Sequence, residues 1–165
     1  MNNFKITLIL VVICFLGLGS CVTTQTKLSP EELSIQKIID NNIAKPELFR
    51  LSMEWIAATF VSAKSVIEYQ DKDEGIIMGK GFTTLTGPLL DLPVDVYFTI
   101  KIEVKDNKSR ITISSIYLQV TSGTSISKKS IDTKEAMDFY RPQLNKIIKS
   151  YEESIIKNSS SKEGW

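Results

Sequence analysis

Three short segments carry side chains of the kinds that do chemistry. Ser125-Ile126-Ser127-Lys128 has the S-x-x-K spacing in which a lysine can take the proton of a serine nucleophile. The sequence has no S-D-N or K-T-G companion segment, and it predicts a polar loop here instead of the helix start that such a site needs. We interpret the segment as a loop and keep serine–lysine chemistry as the alternative.

The other two segments are an acidic turn, Asp71–Glu74, and the glycine-containing stretch Gly75–Lys80 that directly follows it. Gly75…Gly79-Lys80 has the outline of a phosphate-binding loop, but its spacing is one residue short and no Ser or Thr follows the lysine. Asp71, Asp73 and Glu74 could bind Ca²⁺ or act as acid and base, but they lack the twelve-residue loop of a calcium site. We predict a solvated turn here, and no catalytic residue, cofactor or metal site in the chain.

The composition excludes several classes of function. With no His among 165 residues, the chain cannot form a His-based triad, a Cys–His dyad or an imidazole metal site. Its 20 Lys and Arg nearly balance its 19 Asp and Glu, whereas nucleic-acid binding needs a surplus of cations to neutralise phosphates. We therefore expect no nucleic-acid partner.

The N-terminus has the features of a bacterial lipoprotein signal. Lys5 precedes an apolar run, Ile6–Leu18, that is shorter than the roughly 20 apolar residues of a membrane span. The run ends in Leu18-Gly19-Ser20-Cys21, which resembles the lipobox: an aliphatic residue, two small residues and the Cys whose thiol accepts the lipid. We predict signal cleavage between Ser20 and Cys21, and lipidation of Cys21 with diacylglyceryl and palmitate.

This signal predicts where the mature protein is held. Val22, not Asp, follows Cys21, which resembles an outer-membrane address, and the lack of an acidic run favours the periplasmic face. Cys14 leaves with the signal, so no free thiol remains for a disulfide or a metal site. We predict a signal peptide over residues 1–20, a lipidated tether over 21–33, one domain over 34–157 and a disordered tail over 158–165.

Apolar spacing predicts two helices. Lys45–Ala63 places apolar side chains at helical intervals, and we expect its Trp55 to be a core anchor. Asp132-Thr133-Lys134-Glu135 resembles a capping box at the start of a second helix, which Pro142 should kink or divide. The predicted apolar stripe of the second helix consists of Ala136, Tyr140, Leu144, Ile147, Tyr151 and Ile155.

Alternation with a period of two predicts the strands. It is clearest in Val94–Val104, where the even-numbered residues face one way and the odd-numbered ones, including Tyr97, face the other. Strands are also predicted over residues 65–70, 76–84 and 111–120, with a β-bulge at Ser114-Ser115 because the apolar phase switches there. Residues 86–93 and 121–130 are predicted loops.

The segment before the first helix fits two structures. Ser29-Pro30-Glu31-Glu32 looks like a helix start, whereas the Ile residues of Leu33–Asp40 fit a strand. We choose the strand, so that the element order is β-α-β-β-β-β-α.

In this order the residues resemble a known family. Met53–Ile56 with Phe60, Ser62–Ile67 and Gly75–Gly81 resemble a domain of unknown function with a TATA-box-binding-protein-like (TBP-like) fold, found in Gram-negative bacterial lipoproteins. The resemblance covers residues 34 to 157. It implies an α+β fold: a curved antiparallel sheet of four to five strands with two helices packed on one face. The resemblance implies no catalytic residues, and a TBP-like fold does not by itself imply DNA binding.

We therefore expect a lipid-anchored envelope protein whose domain is not an enzyme and binds a protein, a peptide or another envelope component, or has a structural role. The candidate partner surface comprises Leu89, Leu90 and Leu92 in an apolar loop and Tyr97 on the polar face of its strand. The alternative is an envelope hydrolase that uses Ser–Lys or carboxylate chemistry.

Overall fold

The structure is a computed structural model that describes residues 28–60, 66–88, 92–122 and 125–160. The predicted signal, with Ser20 and Cys21, therefore lies outside the described residues, as do Leu89 and Leu90 of the apolar loop. Within the described residues the chain forms six strands and two helices, an α+β fold as predicted. The elements are β1 Ile35–Asp40, α1 Lys45–Thr59, β2 Val66–Asp71, β3 Ile76–Thr86, β4 Pro93–Lys105, β5 Lys108–Ser122, β6 Ser125–Ser130 and α2 Lys134–Ser160.

The six strands form one antiparallel sheet around the long strand β5. The main order is β1-β5-β4-β3-β2, and β6 also pairs with β5. β1 pairs with the first half of β5, Ile35 opposite Ile113, and β6 pairs with its second half, Ser130 opposite Tyr117. The two short strands thus follow one another along the same edge of β5, and β2 forms the opposite edge of the sheet.

Both helices contact the same face of the sheet, which we call the inner face. The even-numbered residues of β4 point into it, and Val96, Phe98, Ile100, Ile102 and Val104 are all buried, as the alternation predicted. Trp55 of α1 is also buried, which confirms the predicted core anchor. The opposite side of the sheet, here called the open face, carries no helix among the described residues.

Hydrogen bonds from loops hold the helix ends. The Lys45 amide donates to Asp106 Oδ1 (2.8 Å), so that an aspartate in the β4–β5 turn accepts from a helix amide that has no partner within α1. The Ala136 amide donates to Thr133 Oγ1 (3.3 Å), which makes Thr133 the cap of α2. The predicted capping box began one residue earlier, at Asp132, and was wrong in that detail.

The segment before β1 contains both structures that its sequence fits. The Ser29 amide donates to Glu32 Oε2 (2.9 Å) and the Glu32 amide donates to Ser29 Oγ (3.4 Å), a reciprocal capping pair around one turn. Strand β1 then begins at Ile35, so the choice of a strand is confirmed for Ile35–Asp40.

Three other details of the predicted helices were wrong. Helix α1 ends at Thr59 instead of Ala63, because Phe60 leaves helical geometry (φ −111°, ψ 65°). Helix α2 runs unbroken through Pro142, which is exposed, and continues to Ser160, so the first residues of the predicted tail are helical. The predicted apolar stripe of α2 packs against the core, with Ala136 and Ile147 partly buried, and it also includes Met137 and Ile148, which are fully buried.

The predicted loop over residues 121–130 was also wrong, because it contains the hairpin of β5 and β6. Residues 126–130 are all exposed, so no apolar alternation marks this edge strand. Backbone hydrogen bonds to β5 hold this strand in place, and they leave no pattern in its side chains.

The predicted β-bulge is present at Ser114-Ser115. Tyr97 pairs with Tyr117 and Thr99 pairs with Ser114, so two residues of β5 oppose Phe98 alone. Ser115 has a positive φ of 51°, a left-handed conformation that is unfavourable for a residue with a side chain. The extra residue restores the inward face, because both Ile113 and Ile116 are buried.

We expect Ser115→Gly to raise the free energy of unfolding by about 0.5–1 kcal/mol, because glycine adopts positive φ without the steric penalty. The neighbouring change Ser114→Gly is the matched control, and it should lower that free energy because Ser114 is ordinary strand backbone. Urea denaturation measures both changes. An equal loss in the two variants would contradict the assigned bulge geometry.

Candidate functional site

The structure separates the groups that could have formed a hydrolytic site. Ser127 and Lys128 are consecutive residues of β6, so their side chains point to opposite faces of the sheet. Lys128 Nζ instead lies 5.0 Å from the centre of the Tyr117 ring, in a cation–π contact. The serine of the S-x-x-K spacing, Ser125, lies three strand positions, about 10 Å, before Lys128 on β6. The strand therefore separates the lysine from both serines of the segment.

The acidic turn and Lys80 also have structural partners. Asp71 Oδ1 accepts from the Glu74 amide (2.8 Å), which closes the turn before Gly75, whose φ is +74°. This hydrogen bond is the main reason why the pKa of Asp71 lies below its usual value. Lys80 Nζ donates to Glu68 Oε1 (2.5 Å) across β2 and β3, on strand backbone and not on a phosphate-binding loop.

The described residues contain neither a metal-binding cluster nor a helix that could span a membrane. In residues 28–60, 66–88, 92–122 and 125–160, no three His, Cys, Asp or Glu side chains are placed to hold a metal ion. Neither described helix is long and apolar enough to cross a membrane.

The open face carries a row of three aromatic side chains across neighbouring strands. The rings of Phe82 on β3 and Tyr97 on β4 have centres 5.0 Å apart, and those of Tyr97 and Tyr117 on β5 are stacked 5.3 Å apart. Lys128 on β6 lies against the far side of the row. We call Phe82, Tyr97 and Tyr117 the aromatic row.

Strand register builds this row. Phe82 is paired with Tyr97, and Tyr97 with Tyr117, so that each ring faces the next one across a strand pair. The bulge at Ser114-Ser115 is needed for this arrangement, because without the extra residue Tyr117 would point to the inner face. All three residues are partly exposed, so the row is accessible from the open face.

Charged groups continue the open face beyond the row. Glu103 accepts from Arg110 Nη2 (2.8 Å) and lies 3.2 Å from Lys101 Nζ. Partial burial alone would raise the pKa of Glu103, but the bonds from Lys101 and Arg110 outweigh it, and the pKa lies below its ordinary value. The open face therefore has an aromatic half and an ion-paired half.

The structure separates the two described members of the predicted partner surface. Leu92 is exposed just before β4, whereas Tyr97 lies five residues further along the strand, about 16 Å away. Leu89 and Leu90 lie outside the described residues. Leu92 and Tyr97 therefore belong to different parts of the surface, and Tyr97 lies beside Phe82 and Tyr117. Both of these missed residues occupy alternating positions that could have been assigned to the polar face.

A cleft lies between α1 and the inner face of the sheet. Its volume is about 320 Å³ and Gly79 is part of its wall. The lining is mainly apolar and comprises Ile56, Ala57, Phe60, Ile67, Gly79, Lys80 and Ile100.

A chain of hydroxyl groups joins the two helices in the core. Tyr151 Oη and Ser52 Oγ are 2.9 Å apart, and Ser52 Oγ donates to the Leu48 carbonyl (2.7 Å). Both residues are fully buried, and because the Ser52 hydroxyl proton goes to the Leu48 carbonyl, Tyr151 is the donor of this pair. Burial raises the pKa of the Tyr151 hydroxyl.

This pKa predicts a loss of stability in alkali. Above about pH 10 the unfolded chain loses the Tyr151 proton while the folded chain keeps it, so stability falls as the pH rises towards the folded pKa. We expect Tyr151→Phe to be less stable than the natural chain by about 1 kcal/mol near neutral pH but to lose stability less steeply above about pH 10.

Urea denaturation at several pH values in this alkaline range measures how steeply the free energy of unfolding falls with pH in the natural chain and in Tyr151→Phe. Ser52→Ala is the matched control, because it removes the same hydrogen bond but leaves Tyr151 able to titrate. Parallel pH profiles for Tyr151→Phe and Ser52→Ala would contradict the assignment.

Comparison with known proteins supports the fold. A family model described as "Domain of unknown function (DUF4468) with TBP-like fold" matches residues 36–119, just over half of the chain. A crystal structure of a TBP-like protein from Parabacteroides distasonis is similar, with a TM-score of 0.55 and 13% identity over 72% of this chain and 91% of that chain. A DUF4468 family protein from Bacteroides ovatus has a TM-score of 0.55 and 13% identity over 76% and 85% of the two chains. No curated protein matches this chain.

Proposed function

The chain belongs to the DUF4468 family of domains with a TBP-like fold, and we propose that it is a lipid-anchored envelope protein with a non-enzymatic binding domain. The proposed binding surface is the aromatic row of the open face. The proposed location is the outer membrane, facing the periplasm, with Cys21 carrying the lipid.

The aromatic row is the observation that carries the binding proposal. Stacked rings on a partly exposed sheet face offer large, rigid contact area at a small cost in side-chain entropy, which is why Tyr is enriched where proteins bind partners. The Tyr97 and Tyr117 hydroxyls have no hydrogen-bond partner among the residues that the structure describes, so they are available to a ligand.

The surroundings of the row also favour binding over catalysis. Its nearest cation, Lys128, is held against Tyr117, and the serine beside Lys128 points to the other face of the sheet. Three carboxylates of the open face already have partners, which does not favour acid–base catalysis: Glu68 and Glu103 are ion-paired, and Asp95 accepts from Thr84 Oγ1 (3.1 Å).

Site-specific photo-crosslinking tests the binding surface. With p-benzoylphenylalanine in place of Tyr97, we expect a discrete crosslinked product in cells that make the full-length protein. The same probe in place of Lys149, exposed on α2, is the control and should give none. The absence of any product specific to position 97 would contradict binding through the aromatic row.

Metabolic labelling tests the anchor. We expect the natural chain to incorporate palmitate and to fractionate with membranes, and Cys21→Ser to lose both properties. Cys14→Ser is the matched control, because Cys14 leaves with the signal and its replacement should change neither property. Membrane retention of Cys21→Ser without palmitate would overturn the anchor.

A further inference from the structure

The described chain enters the fold beside the strand β6. The Leu28 amide donates to the Asp132 carbonyl (3.4 Å), two residues beyond the end of β6. Pro30 and Leu33, which follow, line a cleft together with Ser130 and Asp132. The tether therefore reaches the domain at the sheet edge that β1 and β6 form.

The length of the tether limits how far this edge can lie from a membrane. Seven residue steps separate Cys21 from Leu28, so even a fully extended tether spans only about 25 Å. If Cys21 carries the lipid, as proposed above, some surface of the domain near Leu28 must lie close to the headgroups.

Exposed apolar side chains are concentrated next to this edge. Three of the large hydrophobic residues that the described part of the chain exposes surround β6: Leu92 at 54%, Ile126 at 65% and Phe139 at 38%. On one side of β5, Ile126 pairs with Thr121. On the other side, Asp95 pairs with Gln119, and two residues further along the same register Pro93 lies level with Thr121. Leu92, which precedes Pro93, is therefore at the same end of the sheet as Ile126.

Contacts at the start of α2 complete the surface. Phe139, Lys129 and Pro88 border one cleft of about 360 Å³, and the Gly87 amide donates to the Leu92 carbonyl (2.8 Å), which ties Leu92 to the same corner. We call Leu92, Ile126 and Phe139, with Lys129 of β6, the β6 corner.

The charges of the β6 corner suit the headgroup region. Lys129 has no carboxylate partner among the residues that the structure describes, although Glu135 lies on the rim of the same cleft. Lysines beside exposed apolar side chains can place their stems along the apolar surface and their ammonium groups among lipid phosphates.

We propose that the β6 corner lies in the membrane interface, with Leu92, Ile126 and Phe139 inserted among the lipid headgroups. This orientation rests on the proposed lipid anchor. It turns the β6 end of the sheet edge towards the bilayer, keeps Ile38 at the β1 end further from it, and leaves the open face, with its aromatic row, directed sideways and accessible. The lipid at Cys21 supplies most of the membrane affinity, and the β6 corner sets the orientation of the domain.

Single-cysteine labelling tests this orientation in the lipidated protein. Because Cys21 is blocked by lipid and Cys14 is removed, an introduced cysteine is the only free thiol. The variants Leu92→Cys, Ile126→Cys and Phe139→Cys carry an environment-sensitive NBD fluorophore, in vesicles of phosphatidylethanolamine and phosphatidylglycerol. Ile38→Cys and Tyr69→Cys are matched controls, with native exposures of 60% and 46% away from this corner.

We expect blue-shifted emission, quenched about twofold or more by doxyl-labelled lipids, at positions 92, 126 and 139 and not at 38 or 69. In the background of Ile126→Asp with Phe139→Asp, the label at 92 should return to its emission in water. Water-like emission at 92, 126 and 139 in a protein that retains palmitate would overturn the orientation and leave the anchor standing. Equal quenching at all five positions would also overturn it.

Discussion

Replacing Trp55 with Ala is expected to lower the free energy of unfolding by about 3–5 kcal/mol, the usual range for removing a large buried aromatic side chain. Trp55 joins the two helices over the sheet: its ring lies 5.0 Å from that of Tyr151 on α2 and 5.6 Å from that of Phe60. Its Nε1 donates to Ser150 Oγ (2.9 Å). Because a domain of this size has only about 5–15 kcal/mol of stability, the variant should be close to unfolding at ambient temperature.

Two companion variants separate packing from hydrogen bonding at Trp55. Trp55→Phe keeps most of the apolar contact but loses the bond to Ser150, and we expect a loss of about 1–2 kcal/mol. Tyr69→Ala is the surface control, since Tyr69 is exposed and should change stability by only about 0.5 kcal/mol. Urea denaturation followed by circular dichroism measures all three. A loss below about 1 kcal/mol in Trp55→Ala would show that this contact does not hold the helices together.

Periodicity predicted the elements whose side chains divide cleanly between core and solvent. Val94–Val104 alternates strictly because one face of β4 is buried under the helices and the other is open. The polarity of each residue therefore indicates the face to which its side chain points. The bulge was visible for the same reason: Ile113 and Ile116 are both buried, and only an extra residue lets an odd and an even position share one face.

The elements that were missed lack such a burial pattern. Residues 126–130 of β6 are exposed and the strand is held by backbone pairing, so its Ser and Lys residues appear as a loop in the sequence. Pro142 was predicted to kink or divide α2, yet the helix is unbroken and Pro142 lies on its exposed side. A local breaking signal was outweighed by the packing of Tyr140 and Leu144 on either side of it.

The candidate binding surface was predicted only in part for a different physical reason. Alternation indicates that Tyr97 points to the polar face, but it does not say which strands are neighbours or in what register they pair. Phe82 and Tyr117 lie fifteen residues before and twenty residues after Tyr97, and only the β3–β4 and β4–β5 pairings bring the three rings together. A surface made across strands is therefore a property of topology, which one strand's pattern does not contain.

The second large effect is expected at Gly81, where the sheet has no room for a side chain. Gly81 pairs with Phe98, and a methyl group on Gly81 would overlap the ring carbons Cδ2, Cε2 and Cζ of Phe98. The ring cannot move away cheaply, because Phe98 is buried and packs edge-on against Phe60, with ring centres 6.0 Å apart. We expect Gly81→Ala to lower the free energy of unfolding by about 2–3 kcal/mol through overpacking.

A double-mutant cycle identifies the cause of that loss. Phe98→Leu removes the part of the ring that the new methyl group would strike, so Gly81→Ala should cost at least about 1 kcal/mol less in the Phe98→Leu background. Ile39→Val provides the control cycle, because Ile39 on β1 is three strands away and its effect should simply add to that of Gly81→Ala. Additivity in both cycles would mean that overlap with Phe98 is not the cause of the loss, since the backbone entropy change of Gly81→Ala by itself favours folding. Coupling to Phe98 only would establish that Gly81 makes room for the Phe98 ring. The same β3–β4 pairing places Phe82 beside Tyr97 on the other face of the sheet.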